Sequence, residues 1–139
     1  MADQTPRWVY RFQNFHKAFT LLKEALEQKA LSSLEKEGVI QRFEYTLELA
    51  WKTLKDFLES EGIVLPEITP RAVLRQGFEA GVLKQGEVWQ KALDARNLMS
   101  HTYNQEDFET VIADLRQSFL PAFSQLFEFF RSKVEGDSA

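Results

Sequence analysis

Apolar residues recur along most of the chain at intervals of three and four, the spacing that lines up side chains on one face of an α-helix. Trp8, Phe12, Phe15, Phe19, Leu22 and Leu26 step by 4, 3, 4, 3 and 4 and predict a first helix from about Arg7 to Gln28. Leu31-Ser32-Ser33-Leu34 reads as a connection, with Ser33 as the N-cap of the next helix. Ile40, Phe43, Leu47, Ala50, Leu54 and Phe57 repeat the pattern and predict a second helix over about Leu34 to Ser60. Gly38 weakens its first turn, and Gly62 ends it at the C′ position. Pro66 makes the stretch from Ile63 to Ile68 a loop. Thr69-Pro70 is an N-cap followed by proline at the first helical position, and predicts a short helix from Pro70 to Ala80 that stops at Gly81. Val88, Ala92, Ala95 and Met99, with Trp89 and Leu93 beside them, predict a helix from about Glu87 to Ser100. The last helix starts after Asn104 and reaches about Ser132 on a stripe of Phe108, Ile112, Leu115, Phe119, Ala122, Leu126 and Phe129. Pro121 inside it predicts a kink, and Val134 to Ala139 is expected to fray.

No strand pattern competes, so the predicted class is all-α, with four long or medium helices and one short one whose heptad-like spacing is that of antiparallel bundles. One domain is expected over residues 1–139, with an ordered core over about 7–132. Tyr45, Trp51, Leu98, Leu120, Phe127 and Phe130 fall off the main seams. Two readings are open for them: a wide core face, or a second buried face between two copies of the chain.

The residue inventory narrows the chemistry. There is no cysteine, which removes disulfides, thiolate metal sites and a thiol nucleophile and fits a reducing, cytoplasmic setting. The first residues, Met1 to Pro6, are polar and lack the apolar stretch of a secretory leader. No apolar run approaches the roughly 18 residues of a membrane span, so no membrane partner is expected. Only two histidines are present, without the Glu-x-x-His pairs of a carboxylate-bridged centre, so neither a metal nor another cofactor is expected. His16 reads as a surface or boundary residue, and Glu44, Glu48 and Lys52 read as a solvated charged face. The formal net charge is −4, so any contact with RNA must be local or assembled between subunits.

Asp94-Ala95-Arg96-Asn97-Leu98-Met99-Ser100-His101-Thr102-Tyr103 differs in kind, gathering polar and basic side chains at a helix end. Two readings stand. A histidine there can bond the orphan carbonyls and meet the negative end of the helix dipole. An imidazole can also take a proton from a ribose 2′-hydroxyl or give one to the leaving oxygen. A guanidinium can then hold the phosphate bidentately and stabilise its transition state. On a straight helix Arg96 and His101 diverge by about 140°. They converge only where the helix stops near Ser100, or where two chains contribute.

The segments Ile40 to Lys55, Thr69-Pro70-Arg71 with Gly77-Phe78, and Arg96-Asn97-Leu98-Met99-Ser100-His101-Thr102-Tyr103 together resemble the nucleotidyltransferase substrate-binding proteins, the HepT-like branch of the HEPN superfamily. The likeness spans about residues 8–130, and the Arg-x4-His-x-Tyr signature matches without departure. The resemblance implies an up-and-down four-helix bundle with one additional short helix, homodimeric and paired with a minimal nucleotidyltransferase. It also implies a metal-independent ribonuclease toxin with Arg96 and His101 catalytic, RNA as substrate, and the nucleotidyltransferase as antitoxin. Tyr103 would be the acceptor of an AMP group, with Asn97 and Ser100 supporting. The alternative within the same family is a non-catalytic subunit that presents substrate to the nucleotidyltransferase.

Overall fold

A computed structural model describes residues 5–101 and 104–138. Helices α1 (Arg7–Glu27) and α2 (Ser33–Ser60) lie side by side, followed by the short α3 (Pro70–Glu79) and by α4 (Gly86–Met99). Helix α5 (Gln105–Asp114), a five-residue π-turn (Leu115–Phe119) and α6 (Leu120–Ser138) then run on without a break. The architecture is the expected all-α, up-and-down bundle.

Local chemistry sets the helix ends. The α2 cap is Ser32, one residue earlier than the sequence suggested. Its hydroxyl accepts from the Glu35 N–H at 3.1 Å, and the Glu35 carboxylate accepts from the Ser32 N–H at 2.8 Å. This capping box needs an acid three residues after the cap, which Ser33 lacks. Gly62 and Gly81 follow α2 and α3 with φ of 81° and 80°. The bonds Ile63 N–H to Leu58 O (3.0 Å) and Val82 N–H to Gly77 O (2.9 Å) complete Schellman motifs at both ends. The Thr69 hydroxyl caps α3 by accepting from the Ala72 N–H.

The stripes predicted for α1 and α2 are buried in full. In α4 the seam is Trp89, Ala92, Leu93 and Met99, while Val88 and Ala95 are only partly covered. The helix is turned so that Trp89 meets the ring of Phe123, with centroids 5.1 Å apart. In α6 the core residue is Phe130 rather than Phe129. The disturbance expected from Pro121 takes the form of the π-turn before it, where the Leu120 N–H reaches back five residues to the Leu115 carbonyl. Beyond Ser132 the helix continues to Ser138, and Ala139 lies outside the described residues.

Of the off-seam residues, Trp51 and Phe130 join the core, Leu120 and Phe127 pack partly against it, and Tyr45 and Leu98 remain exposed. One ion cluster ties α1 to α2: buried Asp56 accepts from Arg11 Nε, with Arg7 at 3.7 Å and Lys55 at 3.6 Å. At Gly77, α3 approaches α2 so closely that a Cβ would sit 2.6 Å from Leu54 Cδ2. The following residue, Phe78, points outward and is half exposed. No described helix is long and apolar enough to cross a membrane.

Candidate functional site

Helix α4 ends at Met99, with Ser100 as its C-cap. The Ser100 N–H donates to the Arg96 carbonyl at 3.2 Å, and its hydroxyl to the same oxygen at 3.1 Å. The His101 N–H donates to Leu98 O at 3.0 Å, tightening the last turn. The helix therefore stops where convergence of Arg96 and His101 requires. Capping falls to Ser100, and among the described residues the His101 imidazole bonds no carbonyl. His101 and Asn97 are exposed, while 27% of the Arg96 side chain is accessible. Arg96 and His101 share an end of the molecule, and no hydrogen bond or ion pair joins them among the described residues. Thr102 and Tyr103 lie outside the described residues, and with them the expected AMP acceptor.

Arg96 turns toward α2. Its Nη1 stands 3.5 Å from Glu48 Oε2. Glu48 also accepts from the Trp51 indole N–H at 3.0 Å and pairs with Lys52 at 3.1 Å. Partial burial pushes the Glu48 carboxyl up, but hydrogen bonds from Trp51 and Lys52 and the charges of Lys52 and Arg96 prevail and hold it below the usual range. One turn earlier, desolvation raises the Glu44 carboxyl against the pull of Arg96. The face read as merely solvated is thus half-covered and engages the arginine of the signature. Trp51, three residues beyond Glu48 on the same face, was the sequence signal for it. Glu44, with Glu37 and Gln41, also walls a cleft closed by Met99 and Phe108.

Arg96 Nε is buried and has no acceptor among the described residues. An unsatisfied buried donor costs on the order of 1–3 kcal/mol, so an acceptor brought to this end of α4 would be favoured. Within one copy of the chain the surroundings of Arg96 are acidic. Among the described residues no three His, Asp or Glu side chains converge as metal ligands.

An all-helical bundle that ends its fourth helix in Arg-x4-His is the architecture of the HEPN class. Residues 10–132 match the family model described as nucleotidyltransferase substrate binding protein like, and the chain belongs to that family, in its HepT-like branch. It is 33% identical over 103 residues to a probable ribonuclease HepT of Haemophilus influenzae, covering 72% of this chain and 70% of that protein. A crystal structure of a Thermus thermophilus protein superposes with a TM-score of 0.71 at 32% identity, over 86% of this chain and 97% of the other.

Proposed function

We propose that the chain is a metal-independent ribonuclease acting as the toxin of a pair, with a minimal nucleotidyltransferase as its antitoxin. The observation that carries the reading is the end of α4: the helix stops at Met99, His101 stands exposed, and Arg96 keeps a buried donor without an acceptor among the described residues. The similarity to a probable ribonuclease supports it. In this reading the imidazole moves the proton at the 2′-hydroxyl or the leaving oxygen, and the guanidinium grips the phosphate. A second copy of the chain supplies the partner arginine and offsets the carboxylates of Glu44 and Glu48. Tyr103 is the residue on which the antitoxin places AMP, supported by Asn97 and Ser100.

The purified chain is expected to cut RNA with EDTA present, and Arg96→Ala and His101→Ala each to abolish cleavage and growth inhibition while the helical content is kept. Cleavage that persists in both variants removes these residues from the mechanism. The acidic cleft of Glu37 and Glu44, together with Glu48 paired to Arg96, favours a second reading, a substrate-presenting subunit of the nucleotidyltransferase. It predicts a stable complex and no cleavage by the chain alone.

A further inference from the structure

On another side of α4, a groove of ≈ 890 Å³ runs between α3 and α4. Its floor is apolar, formed by Leu74 and Val88. The half-exposed ring of Phe78 stands over it, backed by Gly86, where a Cβ would lie 3.0 Å from the ring carbons. The ring is therefore held in place by a position with no side chain. The two walls are tied together, since Arg71 donates to Asp94 and Gln90 across the helix pair, at 2.7 Å each. That leaves Arg75, Lys84 and Lys91 at the groove without an ion-pair partner among the described residues, against the acid Glu87, since the groove's other acid, Asp94, pairs with Arg71.

An aromatic platform with cations around it, on a chain of net charge −4, is the arrangement that holds a single strand: bases stack on the ring and phosphates meet the cations. We infer that the α3–α4 groove is a binding subsite for single-stranded RNA, with a base stacked on Phe78 and phosphates on Arg75, Lys84 and Lys91. It rests on the ribonuclease reading and names where the substrate strand is held. Lys91 and Arg96 are separated by about 7.5 Å of rise and about 140° of turn along α4. A strand in the groove therefore reaches the exposed His101 by passing the C-terminal end of α4, rather than across the acidic face of α2. The wall of Glu44 and Glu48 makes that face the poorer path for a polyanion.

The test measures binding of the full chain to a fluorescein-labelled, fully 2′-O-methylated RNA 12-mer, which has no free 2′-hydroxyl to attack, across a salt series. Phe78→Ala is expected to weaken binding by about five- to a hundredfold, with Phe78→Trp restoring it. Combined Arg75→Gln, Lys84→Gln and Lys91→Gln is expected to lower the log–log salt slope by about 2. Lys17→Gln with Lys23→Gln, on exposed positions of α1, is expected to change neither. Groove variants with wild-type affinity and slope overturn the inference, as does an equal loss in the α1 control or a wild-type chain that binds no RNA. Loss of a co-purifying nucleotidyltransferase at unchanged RNA affinity would assign the groove to a protein and overturn it as well. With unmodified RNA, strand bound through the groove but never cut removes the nuclease and keeps the subsite. Cleavage with unchanged KM in the groove variants removes the subsite and keeps the nuclease.

Discussion

Gly77→Ala and Gly38→Ala place the same methyl group in two helices and should move stability in opposite directions. At Gly38 no atom lies within 4 Å of the added carbon, so only helix propensity acts. That gain is about 1 kcal/mol. At Gly77 the new carbon would lie 2.6, 3.1 and 3.3 Å from Cδ2, Cδ1 and Cγ of Leu54. Leu54 is wholly buried and has no solvent-facing rotamer into which to retreat. Overpacking of this kind costs about 1–3 kcal/mol, which offsets the propensity gain and leaves a net loss of up to about 2 kcal/mol. For a chain of this length about 3 °C of Tm accompanies each kcal/mol. Gly38→Ala should therefore raise Tm by about 3 °C, and Gly77→Ala lower it by up to about 6 °C, in thermal melts followed by circular dichroism. The decisive experiment is the double-mutant cycle with Leu54→Ala. Once the leucine is truncated the clash is gone, and Gly77→Ala should become stabilising. If Gly77→Ala destabilises equally in both backgrounds, the close α2–α3 approach is refuted as the cause.

Glu44 and Glu48 should respond to pH with opposite signs. Glu44 is raised, so the folded state favours its protonated form and the carboxylate costs stability above that point; Glu44→Gln should gain a few tenths of a kcal/mol at pH 7, the gain fading as pH falls through the carboxylate range. Glu48 is lowered, so its contribution is present above the ordinary carboxylate value and lost as pH falls below it; Glu48→Gln should lose a similar amount at pH 7 and match the wild type in strong acid, by urea midpoints at each pH. Asp56→Ala leaves Arg11, Arg7 and Lys55 facing one another across α1 and α2. It should cost about 3 kcal/mol, read as a Tm drop near 10 °C, and an unchanged Tm would show that the cluster is ornamental to stability.

The helices were legible because the apolar steps of α1 and α2 are regular and both predicted stripes are buried, although α2 also buries Val39, Trp51 and Leu58 beside its own. Helix α4 was harder: Val88 and Trp89 are neighbours, and the sequence does not say which will face the ring of Phe123. The Ser32 cap was present in Ser-x-x-Glu, but Ser33 competes for the role by position alone. The signature from Arg96 to Tyr103 stood out by residue type, yet the side on which Arg96 lies did not. That depends on Glu48, dozens of residues earlier, and is fixed only once α4 packs on α2. The groove at Phe78 was invisible because its walls come from two helices and its rigidity from a glycine between them.

The π-turn separates what reads in sequence as one stripe into two tools. Before it, α5 packs on α2 and α4; after it, α6 swings its rings to α1, where Phe130 meets Trp8 and Phe127 meets Phe12. The extra residue in that wide loop works as a phase shifter between the two halves. Trimming one residue from Leu115–Phe119 would leave the front half in place and rotate the rear half off its partner, so a length change here would read out as a loosened α1 before any injury reached His101.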